Sequence, residues 1–439
     1  MVVPAMKAPT RSNEEKEKTN PSHDCLKAYL STETELGIRV RAAMEQDGYC
    51  VLSGVLTAEE CLVELERMWE FVEATAPSVD RNNPDSWYPR EIAPSNDVDD
   101  EANSNNTPLT HTQTMDDDPW PHSGFGFLSD MCQSYRSGWL FSELREKLAE
   151  RVFEPLYGTR QLHSSKEGFT FHRPTTDTRH PLWKRRPPQV CGKPISHAGA
   201  HFDQRAAHTG LQCIQSSTAL LDQTVNDGCF QCWPGSHREH ARMTRDIWRG
   251  RSDWVPLTDE EVLDLERRGY TPRRVPVQRG DVILWRSDLV HCGAAPRGET
   301  PHFRAVSYTC MLPAALTPRY VAQHKLDEYW SGLSGDHRPN CRMPHISQPK
   351  KRGQGGKHQT IKGQEVVAPA QATSSYFPGG LPRLTWRQAE LYGLVPYEKD
   401  KDKPNKNPPN LQVEAEILDG KLYWLPPPQQ SGLDALKLI

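Results

Sequence analysis

Two histidines, an aspartate and an arginine are the side chains here best placed by type and spacing to do chemistry. His201 and Asp203 flank Phe202. Alternate side chains of a strand share a face, so an imidazole and a carboxylate would project together from one rigid surface. That pair offers two adjacent ligands for a divalent metal. A second histidine would complete a facial triad with open coordination positions, the arrangement of oxygen-activating non-haem iron. Alone, His-x-Asp is far more often a satisfied surface or core pair than a metal site. Its weight comes from further along, where Gly280-Asp281-Val282-Ile283-Leu284-Trp285 reads as a turn entering a buried strand. Leu289-Val290-His291 follows, and then Phe303-Arg304-Ala305-Val306-Ser307. Taken singly, His291 reads as a core histidine and Arg304 as an arginine on an edge strand.

The elements that would position these residues lie in a chain of 439 residues, long enough for one large domain or two medium ones. Only 36% of it is hydrophobic and the mean hydropathy is -0.73, which implies tails and a linker around a packed unit. A net charge of -4 and a pI near 6.5 argue against nucleic-acid binding through net charge. Eleven cysteines lie scattered, without the tight, even spacing of a disulfide scaffold. There is no signal-peptide core, no run long enough to span a bilayer and no Ser-Lys-Leu terminus, so a cytoplasmic protein is the expectation.

Residues 1–32 are charged and poor in apolar side chains and read as a disordered tail. Helical spacing covers 33–46, Tyr49 to Leu52 reads as a strand, and Thr57-Ala58-Glu59-Glu60 fits a capping box. It opens a helix whose buried stripe is Leu62, Leu65, Met68, Trp69 and Val72. Residues 75–133 lack periodicity and read as a long loop or lid. Its acidic patches, Asp97 to Glu101 and Asp116 to Asp118, do not match a calcium loop. Helical periodicity returns from Trp139 to Leu156 and stops near Gly158. Phe169 to Pro174 and Leu211 to Asp222 read as strands. The basic insert between them, with Arg179, His180, Lys184, Arg185 and Arg186, reads as a solvated loop or as a cationic rim for an anionic substrate. Cys229 and Cys232 form a C-x-x-C with no second pair at zinc spacing and read as small strand residues. A charged helix at 259–268 and a turn-linked pair of strands from Val275 to Leu284 follow. Residues 33–344 form the main domain, 345–373 a basic flexible linker, and 374–439 a C-terminal extension. That extension carries a second capping box, Thr385-Trp386-Arg387-Gln388, and a hairpin turn at Asp419-Gly420. Strands dominate the centre and helices gather before it, so the fold class is mainly β with flanking helices, a barrel or jelly roll.

Three stretches in this order resemble the phytanoyl-CoA hydroxylase family of iron(II) and 2-oxoglutarate dependent oxygenases. They are His201-Phe202-Asp203, then Asn226-Asp227-Gly228-Cys229 through Pro234-Gly235-Ser236-His237, then His291 with Phe303 to Ser307. The resemblance covers roughly residues 36–320 and implies a double-stranded β-helix with the metal at its open mouth. It implies that His201, Asp203 and His291 hold Fe(II), and that Arg304 grips the distal carboxylate of 2-oxoglutarate, a task suited to a permanently charged planar fork. Arg173 stands where relatives often have a lysine near that co-substrate, and His237 where the family histidine lies near the same ligand. Gly293 and Ser217 depart from a serine and a tryptophan found in some relatives. The implied reaction is hydroxylation or related oxidation of a small organic substrate, anionic or polar, using O2 and 2-oxoglutarate and releasing succinate and CO2. The presence of Asp203 favours hydroxylation over halogenation. Two alternatives stay open at this point: a non-catalytic jelly-roll binding protein with a vestigial metal site, and a zinc or manganese enzyme on a cupin-like barrel that would not need Arg304.

Overall fold

A computed structural model describes residues 26–88, 137–174, 199–247, 253–297, 302–332, 382–397 and 414–426, with short pieces between them. The acidic patches, the basic insert from Arg179 to Arg186 and residues 1–25 of the expected tail lie outside the described residues, whereas Leu26 and Leu30 are buried in the core, so ordered packing begins before residue 33. The 345–373 linker also lies outside the described residues apart from the small hairpin Gln359–Ile361 and Gln364–Val366.

The strands in chain order are β1 (Tyr49–Leu52), β2 (Met131–Cys132), β3 (Leu162–Ser164), β4 (Phe169–His172), β5 (Gln189–Val190), β6 (Lys193–Pro194), β7 (His201–Phe202), β8 (Ile214–Ala219), β9 (Cys229–Cys232), β10 (Val255–Pro256), β11 (Arg273–Val275), β12 (Val282–Arg286), β13 (His291–Ala294) and β14 (Arg304–Pro313). One antiparallel sheet runs β1-β12-β8-β14-β4-β2, with β3 also on β14, and a second runs β10-β7-β13-β9-β11. From β7 to β14 the chain passes repeatedly between the two sheets. Phe230 and Cys232 of β9 and Val275 of β11 share one apolar cluster with Ala219 of β8 and Ile283 and Trp285 of β12. Two sheets packed face to face and joined by such crossings make a jelly roll, the double-stranded β-helix that the family resemblance implied.

The other face of the larger sheet is covered by helices. In helix α1 (Glu35–Gln46), Val40 and Met44 are buried, and Thr34 caps its start. Helix α2 (Ala58–Thr75) begins with the expected capping box, Thr57 and Glu60 each accepting the other's backbone N–H. Its buried stripe is Cys61, Met68, Phe71 and Val72, whereas Leu62 is 52% exposed. The expected stripe was therefore rotated by about one position at its start. Residues 139–157 are helical throughout, as α3 (Ser142–Leu148), a π-turn (Ala149–Phe153) and α4 (Glu154–Tyr157), ended by Gly158 at φ 64°.

Three further departures matter. The segments near Val275 and Leu284 do not pair as a hairpin: β11 joins the smaller sheet and β12 the larger. Gly280, before β12, has φ 92°, and a Cβ there would lie 2.3 Å from the Leu56 carbonyl oxygen, so only glycine fits this crossing. Within 75–133, Trp87 and Trp120 are buried against Phe171 and Phe303, so this part of the expected lid is core. Finally, α9 (Trp386–Leu391) and the hairpin β17 (Glu414–Leu418) and β18 (Lys421–Leu425), numbered after β15 (Gln359–Ile361) and β16 (Gln364–Val366), pack on the body. Tyr392 and Trp424 share a cluster with Trp139 and with Tyr329 of α8 (Lys325–Ser331), the helix after the short α7 (Arg319–Ala322). Among the described helices, which include α5 (His240–Ile247) and α6 (Asp259–Arg267), none is long and apolar enough to cross a membrane.

Candidate metal centre

The smaller sheet brings the three expected ligands together. His201 of β7 and His291 of β13 are directly paired across the ladder, with ring centroids 4.4 Å apart. Asp203 follows β7 and its backbone N–H bonds the Ser287 carbonyl at 2.9 Å, which holds it beside the β12–β13 turn. His201 Nε2 is 3.7 Å from Asp203 Oδ1 and His291 Nε2 is 3.3 Å from Asp203 Oδ2. One ligand atom from each of the three residues lies within 4.8 Å of the others, a spacing that a single divalent cation can bridge.

Both rings are oriented from behind. His201 Nδ1 is 2.8 Å from the Gly199 carbonyl and His291 Nδ1 is 3.0 Å from that of Leu289. A ring held as an Nδ1–H donor to a carbonyl leaves Nε2 as the lone-pair atom, and in both residues that atom faces Asp203. The His291 ring is also packed by Phe230, nearly parallel at 5.8 Å, and by Trp285 at 5.4 Å. Gln215 of β8 reaches from the opposite sheet and donates to Asp203 Oδ2 at 2.9 Å.

Burial alone would raise the Asp203 carboxyl and lower both imidazoles. The two histidines more than offset that, holding Asp203 well below the usual carboxylate range. His201 is likewise raised by Asp203 against its burial, while burial and the neighbouring His201 lower His291. The centre thus presents an ionised carboxylate to whatever occupies it.

Arg304, at the start of β14, is buried and lies toward β13 on the facing sheet. Its Nη1 is 3.6 Å from where a Cβ on Gly293 would stand, two residues beyond His291 on that strand. Gly228, in the Asn226-Asp227-Gly228 turn, leaves similar room beside the Arg304 Cδ, at 3.4 Å. Gln223 accepts from Arg304 Nε at 3.3 Å through Oε1, while its own buried Nε2 has no hydrogen-bond partner among the described residues. Neither glycine sets a side chain against the Arg304 side chain.

The other two expected residues sit elsewhere. Arg173 lies under Tyr88 and Trp120, its guanidinium carbon 5.2 and 5.7 Å from their ring centroids, and donates to the Trp87 carbonyl. It succeeds His172 on β4, so strand alternation turns it to the helix-covered face. His237 abuts Gly48 beyond α1, and burial with Arg286 and Arg238 lowers its pKa to about 3. No described contact links either residue to the triad or to Arg304. The C-x-x-C pair is buried within β9, where positions three apart face opposite ways, and joins no metal-binding group among the described residues.

Sequence reading missed Gln215, Gln223, Trp285 and Phe230 as parts of the site. The two glutamines carried a signal, being long polar side chains within or just after a run read as a buried strand.

Fold and site together are those of a jelly roll carrying a His-Asp-His group that could hold a metal ion. The phytanoyl-CoA dioxygenase family description matches residues 44–305, more than half of the chain, and the chain belongs to that family. It is also similar to "Ava biosynthesis cluster protein O" of Aspergillus versicolor, 24% identical over 161 residues, which are 33% of this chain and 48% of that protein. The match therefore spans about half the length of this curated relative. Among solved structures it is similar to EctD from S. alaskensis with 2-oxoglutarate and 5-hydroxyectoine, at 15% identity over 65% of this chain and 79% of that one, with a TM-score of 0.37. A second is the epimerase SnoN in complex with Fe3+, alpha ketoglutarate and nogalamycin RO, at 19% identity over 63% and 83%, with a TM-score of 0.36.

Proposed function

We propose that this chain is an Fe(II)- and 2-oxoglutarate-dependent dioxygenase that hydroxylates or otherwise oxidises a small organic substrate. The observation that carries the reading is a convergent N, N, O donor set on one sheet together with a buried arginine, Arg304, on the facing sheet that lies toward the strand carrying His291. The donor set suits iron(II): two imidazoles and a carboxylate occupy one side of a cation and leave the rest free. The arginine suits a dicarboxylate, because Arg304 presents a fork to a carboxylate and Gln223 keeps a buried amide in want of an acceptor. When bound, the metal supplies oxygen activation coupled to conversion of 2-oxoglutarate and O2 into succinate and CO2.

The protein's own residues position and shield. The carbonyls of Gly199 and Leu289 fix the rings, Gln215 fixes one Asp203 oxygen, and Phe230 and Trp285 wall off His291 from water. Asp203 would supply the carboxylate ligand that related halogenases lack, which supports hydroxylation. The family's description and the name of the fungal relative, a biosynthesis cluster protein, support a small molecule as the substrate.

The test is calorimetric titration of 2-oxoglutarate into iron-loaded protein without oxygen, followed by succinate release in air. Binding and slow uncoupled succinate formation are expected. Asp203→Ala is expected to lose the metal in elemental analysis and all turnover with it. Iron bound stoichiometrically with no affinity for 2-oxoglutarate would instead leave the vestigial-site alternative standing.

A further inference from the structure

Between the two sheets, beside the triad, two buried polar atoms are left unused by the reaction above. Gln215 of β8 and Trp285 of β12 are directly paired across the ladder, so their side chains leave the larger sheet on the same face. That face looks onto the metal centre. Gln215 reaches Asp203 at 2.9 Å, and the Trp285 ring lies 5.4 Å from that of His291 and 4.9 Å from that of Phe230 on the smaller sheet. Both residues are buried, with 4% and 3% of their surface exposed.

Each keeps one hydrogen-bonding atom with no partner among the described residues, the Oε1 acceptor of Gln215 and the Nε1–H donor of Trp285. The Gln215 amide donates through Nε2 to the Asp203 carboxylate, which can only accept, so it is the oxygen that is left over. A buried polar atom without a partner is costly, and a donor and an acceptor on paired residues beside a metal centre point to one ligand that satisfies both. A hydroxyl does this at a single atom. Its oxygen accepts from the indole N–H, and its own O–H donates to the amide oxygen. A carboxylate has no proton to offer Gln215, so 2-oxoglutarate does not complement the pair. The groups that suit that co-substrate, Arg304 and the Nε2 of Gln223, are bonded to each other through Arg304 Nε and Gln223 Oε1 and leave Gln215 and Trp285 over.

We infer that Gln215 and Trp285 form a subsite that recognises a hydroxyl group of the substrate beside the metal centre. This names the substrate class of the proposed reaction, an alcohol, and rests on that reading. The aromatic walls of Phe230 and Trp285 suit an apolar body next to the hydroxyl. Because Gln215 bonds Asp203 through its other end, the hydroxyl is held one side chain away from a metal ligand. The C–H bonds next to it are then the ones offered for oxidation.

Benzyl alcohol, benzyl methyl ether and ethylbenzene serve as probes, offering in turn a hydroxyl, an oxygen that only accepts, and neither. Each is titrated into the full-length protein loaded with zinc, which does not react with oxygen, and saturated with 2-oxoglutarate. Affinity is read by calorimetry, and the indole N–H signals are followed by heteronuclear NMR. The alcohol is expected to bind about tenfold or more tightly than ethylbenzene, with the ether between them. It is also expected to shift one indole N–H signal that ethylbenzene leaves in place. Trp285→Phe, which keeps an aromatic ring, is expected to lack that signal and to lose most of the preference of alcohol and ether over ethylbenzene. Should this variant not fold, the ranking of the probes and the N–H shift in the wild-type protein still decide. Equal or absent binding of the probes, or a preference for the alcohol that survives Trp285→Phe, overturns the subsite. Ether bound as tightly as alcohol overturns the part given to Gln215, and loss of 2-oxoglutarate binding in Trp285→Phe overturns the assignment to the substrate. Wild-type protein that holds zinc but not 2-oxoglutarate fails the oxygenase reading itself, an outcome distinct from all of these.

Discussion

Asp203 is held by more than its place in the sequence. Gln215 ties one of its oxygens at 2.9 Å, and orienting partners of this kind typically change metal affinity by roughly 10- to 100-fold. Gln215→Leu, which keeps the volume and loses the amide, is therefore expected to weaken iron binding by about that factor in competition with a chelator while leaving the fold intact. Arg304→Ala is expected to act on the other ligand, costing ~2–5 kcal/mol of 2-oxoglutarate affinity by calorimetry with metal content unchanged. The convergence of His201, Asp203 and His291 was legible in part, because strand parity puts His201 and Asp203 on one face, while His291 came from the family resemblance. Arg173, which follows His172 of β4, faces the opposite way by the same parity, toward the tryptophans. Gln223 carried only the signal of a polar side chain just after a buried strand, because its partner, the Arg304 guanidinium, is 81 positions away.

At the scale of elements, the helix boundaries read well where capping chemistry is local, at Thr57, at Thr385 and at the Asp419-Gly420 turn, whose residues have φ of 49° and 74°. What could not be read is which sheet each strand joins, since β11 and β12 look like a hairpin in sequence and part company only through long-range packing. Helix α8 shows another long-range effect. Lys325 is buried beside Lys166, with one carboxylate, Glu328, between them, and burial first and then Lys166 lowers its pKa to about 7. A lysine depressed in the folded state is bound to its proton more often in the unfolded chain between those two values. Its contribution to stability is thus greatest above about pH 10.5 and fades as pH falls toward 7. Melting temperature is expected to rise from pH 7 to pH 9, with a shallower slope in Lys325→Met, in thermal scans at constant ionic strength.

Across the whole molecule, residues of the C-terminal extension pack on the helical layer. Trp424 is buried with Trp139, Tyr329 and Tyr392, Tyr397 bonds both backbone groups of Leu162, and Arg387 pairs with Glu154 at 2.7 Å. Composition hid this, because a polar stretch before Leu384 looks like an end to the packed chain. Trp424→Ala is expected to cost about 3–5 kcal/mol of stability in denaturant titration, with the metal affinity of the surviving folded fraction unchanged. The same arrangement bears on biogenesis. Trp139 leaves the ribosome 285 positions ahead of its partner Trp424 (424 minus 139), so at 5–20 residues per second its indole face waits roughly 14–57 s for a cover. During that interval the nascent chain displays a sticky aromatic surface beside a nearly finished jelly roll, a natural point for chaperone engagement and for proteolytic rejection of prematurely stopped copies.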